Sequence, residues 1–152
     1  MPHPFPLPDT DWPLLAEYWA GAAAGELRLP RCGACQAWRW YPRERCEACG
    51  DAGALRWARL EGKGSLFSWV VVHRAFLPEF ADQVPFVTGL VALDEDAHLR
   101  VPTRIVDCAP ASLVADMPMQ VVFRPLPFAS PQGPVIAPLF RPAGRRALGG
   151  EG

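Results

Sequence analysis

Lysine is almost missing from this chain. Lys63 is the only lysine among fifteen Lys and Arg residues, and the formal net charge is −1. Without a positive field, the chain lacks the electrostatic attraction that usually brings proteins to nucleic acid or to anionic membranes. No apolar run is long enough to span a bilayer, and no secretory signal is recognisable. We therefore expect a cytoplasmic protein that does not contact membranes, and the charge argues against nucleic acid as a partner.

The residue patterns of common catalytic sites are also missing. The sequence has no Ser/His/Asp set, no Gly-rich phosphate loop with a lysine, and no two histidines with a carboxylate for an open metal site. His73 and His98 are the only histidines beyond the N-terminal arm, and His73 has no apparent partner for general-base chemistry. We therefore predict no catalytic residue in this chain.

Four cysteines form two Cys-x-x-Cys pairs, and a spacer of ten residues separates the pairs. Each pair places two thiolates on one tight turn, so that two such turns surround an ion tetrahedrally. A site filled by four protein ligands leaves no open position for chemistry. We therefore predict a structural Zn²⁺ held by Cys32, Cys35, Cys46 and Cys49.

Other uses of these cysteines are disfavoured to different degrees. Disulfides need an oxidising compartment, and a redox-active Cys-x-x-Cys is usually a single pair at the start of a helix. Iron takes the same four ligands, and the sequence does not distinguish it from zinc. Cys108 lies far downstream, where a small buried residue is favoured over a ligand or nucleophile.

The N-terminal region predicts an extended arm and then one helix. Residues 1–9 alternate with proline, and a helix is expected from near Trp12-Pro13 to a stop at Gly25. Its apolar stripe either covers the metal module or docks on another protein. The spacer between the cysteine pairs adds more aromatic surface than a small module can bury. The predicted partner contacts are Trp19, Trp38, Trp40 and Tyr41.

Beyond the cysteines, short apolar segments separated by turns predict a small antiparallel barrel. In Ser65–His73, regular alternation predicts one apolar face with Phe67, Trp69 and Val71 and another with Leu66, Val70 and Val72. This strand is therefore expected to be covered on both sides or to lie deep in a closed barrel, and Gly62-Lys63-Gly64 predicts a hairpin or a sharp bend. The predicted organisation is an arm and helix (1–26), a zinc ribbon (27–54), a barrel (55–142) and a flexible tail (143–152).

Several stretches, in a fixed order, carry a resemblance to a known family. They are Tyr18-Trp19-x-Gly21, the two cysteine pairs with Tyr41-Pro42-Arg43 between them, Gly62-x-Gly64-x-Leu66-x-Ser68-x-Val70-Val71-Val72-His73-Arg74, Val84-Pro85-Phe86-x-x-x-Leu90-Val91-x-Leu93-Asp94-Glu95, Val106-Asp107-Cys108, and Met117-Pro118-Met119-Gln-Val-Val-Phe123. This order resembles the zinc-ribbon/OB-fold proteins that accompany thiolases and other acyl-CoA enzymes, over roughly residues 12–142. One position departs from the pattern, because the family often has glycine where this chain has Asp116.

The resemblance implies a mainly β fold: an N-terminal helix, a rubredoxin-like zinc ribbon and a five-stranded OB-fold barrel. It also implies a non-catalytic subunit that binds a thiolase-like or hydratase-like enzyme and helps to hold its CoA thioester during thiolytic or retro-aldol chemistry. His73 and Arg74 are then candidate CoA contacts, since guanidinium forms bidentate bonds with phosphate. For Arg74, a surface salt bridge with Glu79 or Asp82 is the competing expectation.

Two other functions stay open at this point. A single-stranded nucleic-acid binder would stack bases on exposed indoles and follow the phosphates with basic groups. A free-standing enzyme would use Cys108 as its nucleophile. The indoles available for stacking would be Trp38, Trp40, Trp57 and Trp69.

Overall fold

The computed structural model describes residues 7–144, and the secondary structure is mainly β, as predicted. The first six residues of the predicted arm and residues 145–152 of the predicted tail lie outside the described residues. The elements are α1 (Ala16–Ala23), β1 (Leu27–Cys32), β2 (Leu55–Leu60), β3 (Lys63–Val72), β4 (Phe86–Leu93), β5 (Arg100–Ile105), β6 (Pro118–Pro125) and β7 (Ile136–Pro142), with short 3₁₀ turns at Pro78–Phe80 and Pro110–Ser112.

The helix begins later than the sequence predicts and ends where expected. The carbonyl of Trp12 accepts hydrogen bonds from the next turn, and regular helix runs only from Ala16 to Ala23. At the other end Gly25 has φ +74°, and the N–H of Glu26 donates to the Gly21 carbonyl over 2.8 Å. This is the backbone pattern in which a left-handed glycine closes a helix.

The base of the ribbon is a two-stranded sheet. β1 runs antiparallel to β2, with Leu27 opposite Leu60 and Cys32 opposite Leu55. The sequence grouped residues 55–60 with the barrel, but their hydrogen-bonded partner strand is β1. Leu27, Leu29 and Leu60 belong to the same buried cluster as the barrel core, so the two sheets share one apolar interior.

The chain bends sharply between β2 and β3 and forms no hairpin there. Gly62 has φ +71°, and a Cβ at this position would overlap the Cγ1 of Val121. The Gly62 carbonyl accepts the N–H of Val121 over 2.7 Å. Glycine is therefore needed both for the backbone conformation and for the close approach of β6.

The second sheet closes into the predicted five-stranded barrel, in the order β3-β4-β5-β7-β6. All of its neighbouring strands are antiparallel except β5 and β7, which meet in parallel at Ile105 and Phe140. β3 is the longest strand, and its first residues also pair with β6, which closes the barrel. The interior includes Leu66, Val91 and Phe140, each at most 1% exposed.

A β-bulge at Phe67 overturns the predicted facing of β3. Leu66 lies opposite Val91, and Ser68 lies opposite Leu90, so Phe67 is an extra residue between the two pairs. One extra residue reverses the alternation beyond it. Trp69 and Val71 therefore pack against the core with Leu66, whereas Val70 is 59% exposed. β3 does lie in the closed barrel, but only its inward face is covered, so the expected cover on both sides is wrong.

The structure also explains two unusual sequence positions. Pro102 lies in β5 opposite Leu90, where β5 has only β4 as a neighbour, so the N–H that proline lacks is not needed. Asp116 has φ +61°, the left-handed conformation that a glycine would adopt without strain. Its N–H donates to the Leu66 carbonyl over 2.9 Å, which ties this turn to β3.

Across residues 7–144, no helix has both the length and the apolar character needed to cross a bilayer.

Candidate metal centre and adjoining surfaces

The four predicted ligands lie together at the end of the ribbon. Their Sγ atoms are all within 4.8 Å of one another. The distance is 3.7 Å from Cys32 Sγ to Cys49 Sγ, and also 3.7 Å from Cys35 Sγ to Cys46 Sγ. A disulfide would need about 2.05 Å. Sulfur atoms in a tetrahedral zinc site with Zn–S bonds of about 2.3 Å are about 3.8 Å apart, so this cluster fits a metal ion.

The two cysteine turns have matching backbones. The N–H of Gln36 donates to the Cys32 carbonyl over 3.0 Å, and the N–H of Gly50 donates to the Cys46 carbonyl over 2.8 Å. Both closing residues are left-handed, with φ +64° at Gln36 and +77° at Gly50. Glycine adopts this conformation without strain, so Gly50 suits the second turn, whereas Gln36 in the first turn is strained.

Backbone donors prepare the first sulfur of each turn for ionisation. The N–H groups of Cys35 and Ala34 lower the pKa of Cys32 to about 7. In the second turn, the N–H of Cys49 is the main cause that lowers the pKa of Cys46. A thiolate is the form that ligates a metal, so both turns favour binding.

The fourth sulfur shows why a cation belongs here. The N–H of Asp51 favours the Cys49 thiolate, but burial and the sulfur atoms of Cys35, Cys32 and Cys46 outweigh it and raise the pKa of Cys49 to about 12. Four sulfur atoms this close do not all ionise unless a positive charge lies between them. The four cysteines are thus positioned to bind a metal ion, which would leave no coordination position open for a reaction.

Arginines from the spacer lie beside the sulfur cluster. Arg39 is only 7% exposed, and its guanidinium donates to the carbonyl of Arg43. Arg39, Arg43, Arg45 and Cys46 line one cavity of about 340 Å³. Zn²⁺ with four thiolates carries a net charge of about −2. Arg43 already pairs with Glu47, so Arg39 and Arg45 are the arginines of this cavity that have no carboxylate partner within residues 7–144.

The predicted partner contacts differ in how much surface they present. Trp19, Trp38 and Trp40 are half-buried, and the last two pack against the core together with Tyr18. Tyr18 and Trp40 ring centroids are 4.8 Å apart, and burial raises the pKa of Tyr18. Only Tyr41 is well exposed, at 59%. Most of this aromatic surface is therefore used inside the molecule.

The indoles considered for base stacking are also partly buried inside the molecule. Trp69 packs against the barrel core, as Trp38 and Trp40 do, and Trp57 is half-buried on β2. The indole N–H groups of Trp19 and Trp40 are buried and have no hydrogen-bond partner within residues 7–144. A set of exposed indoles for a single strand is not formed by these residues.

The two candidate CoA contacts follow directly after β3. His73 and Arg74 are both exposed, and Phe76 in the same loop is 86% exposed. No ion pair links Arg74 to Glu79 or Asp82 in the described part of the chain, so the expected surface salt bridge is not formed. The assignment of His73 and Arg74 to CoA stays a prediction.

Cys108 has the surroundings of a structural thiol. It is half-buried and packs against the core. Burial, and then the charge of Asp107, raise the pKa of Cys108. A reactive cysteine needs the opposite shift, toward the thiolate. In the described chain, no hydrogen bond joins the ring of His73 or His98 to a carboxylate.

Two further features were missed at the level of sequence. A cavity of about 750 Å³ lies between α1 and the loop joining β6 to β7, with Trp19 and Ile136 among its lining residues. The outer face of β3, β4 and β5 carries exposed apolar side chains, and the bulge at Phe67 adds Val70 to them. Neither feature has a local sequence signal, because both depend on which distant segments meet.

A four-cysteine ribbon joined to a closed five-stranded barrel defines a zinc-ribbon/OB-fold protein. Comparison with known families agrees with this class. Residues 19–56 match the profile "ChsH2, rubredoxin-like zinc ribbon domain", and residues 57–124 match "ChsH2, C-terminal OB-fold domain". The chain belongs to the ChsH2-type family that these two adjoining profiles describe.

Similar proteins and structures support the same family. A DUF35 domain-containing scaffold protein of Methanocaldococcus jannaschii is 34% identical over 62% of this chain, and a probable enoyl-CoA hydratase alpha subunit of Thermomonospora curvata is 33% identical over 83%. The chain spans 64% of the length of the first relative and 37% of the second.

Two solved structures share the fold. A chain of an "Ltp2-ChsH2(DUF35) aldolase" superimposes with a TM-score of 0.74 at 29% identity, covering 90% of this chain and 98% of that one. A DUF35-family protein of unknown function from Sulfolobus solfataricus gives a TM-score of 0.53 at 10% identity, covering 75% and 81%. At that identity the second likeness concerns the fold alone.

Proposed function

We propose that this chain is a non-catalytic subunit of an acyl-CoA-processing complex, in which a thiolase-like enzyme subunit carries out thiolytic or retro-aldol chemistry. The observation that carries the proposal is the likeness, over 90% of the chain, to a chain of an Ltp2-ChsH2 aldolase. The names of two relatives, a scaffold protein and a probable enoyl-CoA hydratase alpha subunit, point the same way.

The chemistry of this chain's own residues supports an accessory role. Its four clustered sulfurs fill a metal's coordination positions, and the pKa of Cys108 is raised away from the thiolate. The reacting cysteine and histidine are therefore assigned to the enzyme subunit. The contribution of this chain is a rigid scaffold in the cytoplasm, held at one end by Zn²⁺.

A CoA contact is proposed for the loop after β3. Arg74 is exposed and has no carboxylate partner within the described residues, so its guanidinium is free to pair with a CoA phosphate. His73 lies beside it and offers a hydrogen bond. We expect Arg74→Ala to raise the KM for the CoA thioester while kcat changes little, because the contact acts on binding.

The experiment is co-expression of this chain with a thiolase-like enzyme subunit, with zinc present. We expect native mass spectrometry to detect a stable heteromer, and thioester turnover to require the enzyme subunit. Cys108→Ala in the complex should leave turnover unchanged. Two folded, zinc-loaded proteins that do not associate would contradict the proposal, and so would full turnover by this chain alone.

A further inference from the structure

The outer face of β3, β4 and β5 forms an open apolar strip. Directly opposed residues share one face of a sheet. Ser68 opposes Leu90, which opposes Pro102, and Val70 lies on the same face two residues further along β3. We call Phe67, Val70, Leu90 and Pro102, with Arg100 and Arg104 at the ends, the outer strip.

The outer strip is exposed to an unusual degree for apolar residues. Val70 is 59% exposed, Phe67 is 45% exposed, and a depression of about 280 Å³ lies among Val70, Leu90 and Pro102. Contiguous apolar surface that the fold leaves uncovered typically marks an interaction site. By contrast, three of the four aromatic residues predicted as partner contacts are half-buried.

Positive charge lies at both ends of the outer strip. The guanidinium of Arg100 lies 3.8 Å from the ring centroid of Phe67, and that of Arg104 lies 4.1 Å from that of Phe86. Neither arginine forms an ion pair within residues 7–144, although Arg104 donates to the side chain of Gln83 over 2.7 Å. The outward positions of these strands include no Asp or Glu.

We propose that the outer strip binds the enzyme subunit, through a partner surface with an apolar centre and Asp or Glu side chains at its ends. This inference rests on the proposed function and names the surface that performs it. Apolar burial at Val70 supplies affinity, and pairing of carboxylates with Arg100 and Arg104 sets orientation and speeds association.

Arg100 and Arg104 also disfavour a second copy of this chain and nucleic acid as occupants of the outer strip. In a twofold dimer, the strip would meet its own copy, and arginines would face a surface without a single carboxylate. Nucleic acid would need free aromatic faces for base stacking, but Arg100 and Arg104 already lie over Phe67 and Phe86.

The test measures the affinity of the zinc-loaded chain for a purified thiolase-like enzyme subunit. The variants are Val70→Glu and Arg100→Glu. The first has a matched control in Val114→Glu, because Val114 is also 59% exposed but lies outside the strip. Arg56→Glu is the control for the second, since Arg56 is exposed on β2 and forms no ion pair within residues 7–144.

We expect each strip variant to weaken binding by about tenfold or more, and each control by less than about twofold. The effect of Arg100→Glu should shrink as salt concentration rises. Circular dichroism confirms folding, and if Val70→Glu does not fold, Arg100→Glu and its control decide the question.

Each other outcome overturns the inference. Wild-type affinity in both strip variants leaves the proposed function intact and places the interface elsewhere. No binding by the unmodified chain contradicts the proposed function and this inference together. A dimer in light scattering that Val70→Glu dissociates identifies a second copy as the occupant. Binding of a fifteen-residue oligo(dT) that Arg100→Glu abolishes identifies nucleic acid.

Discussion

The ribbon tip, residues 32–54, and the barrel bury very different side chains. The buried residues of the tip are Cys32, Arg39, Pro42 and Cys46, so two of them are metal ligands and none is Leu, Ile, Val, Met or Phe. The barrel interior instead contains residues such as Leu66, Met119 and Phe140. Burial of apolar surface stabilises the barrel, whereas the tip adds only the half-buried rings of Trp38 and Trp40 to that core and depends on the metal.

Loss of one ligand should have the largest effect and should be confined to the tip. We expect Cys46→Ser to abolish stoichiometric zinc binding, because the site then lacks one of its four thiolates. The effect is large because the metal supplies on the order of 10 kcal/mol to a site of this kind. The near-UV circular dichroism of the half-buried indoles should fall while the far-UV signal of the barrel persists. Cys108→Ser is the control and should keep its zinc. A Cys46→Ser protein with full zinc content would contradict the assignment.

The next largest effect is expected from glycine substitutions, which should cost less stability in the ribbon tip than next to the barrel. Gly50 in the tip and Gly62 before the barrel have similar φ values, +77° and +71°, but only Gly62 has a neighbour that a Cβ would overlap. We expect Gly50→Ala to cost about 1 kcal/mol from backbone strain and Gly62→Ala about 3 kcal/mol or more. Chemical denaturation of zinc-loaded protein measures both. Equal losses would show that the contact with Val121 is unimportant.

A smaller, pH-dependent effect is expected from an ion pair of the barrel. Asp107 accepts two hydrogen bonds from Arg124, at 2.8 and 2.5 Å, and these hold the pKa of Asp107 below its ordinary value. The ion pair stabilises the folded protein fully at pH values above the pKa that Asp107 has in the unfolded chain. This stabilisation is lost as the pH falls through the lower pKa that Asp107 has in the folded protein.

Asp107→Asn should therefore lower stability near neutral pH and flatten its decline below about pH 4. Thermal melts across that range test this. Glu47→Gln in the ribbon tip is the control, because the Glu47 and Arg43 side chains are both 73% exposed. An exposed pair of this kind contributes little. Identical pH profiles for wild type and Asp107→Asn would show that the ion pair does not contribute to stability.

The smallest effect is expected at the first cysteine turn. Gln36 has φ +64°, whereas the equivalent residue of the second turn is Gly50. Gln36→Gly should relieve the backbone strain and raise stability by about 0.5 kcal/mol, after allowing for the greater freedom of glycine in the unfolded chain. The midpoint of denaturation measures it. A decrease would show that the side chain of Gln36 contributes more than its backbone costs.

The metal site and the barrel were predictable because their signals are local. The spacing of Cys32, Cys35, Cys46 and Cys49 specifies a tetrahedral site without knowledge of the rest of the chain. Turn residues and β-rich segments delimit the strands in the same way. The departure at Asp116 was also visible, and the structure accounts for it by a left-handed backbone.

What escaped prediction depends on pairing between distant segments. β2 pairs with β1, although the alternating pattern of β2 would suit pairing with a barrel strand equally well. No local pattern in the sequence therefore specifies this pairing. The bulge at Phe67 appears only in the register of β3 against β4, and it exposes Val70. The helix starts at Ala16 because a turn at Trp12 comes first, although Pro13 suits a first helical position equally well.

Hydrogen exchange with and without a zinc chelator tests the contrast between tip and barrel most directly. The account predicts that chelation removes protection from amides between residues 32 and 54, while β3 to β7 keep theirs because the apolar core is unchanged. Loss of protection across the whole barrel, or none in the tip, would contradict the view that metal stabilises one region and packing the other.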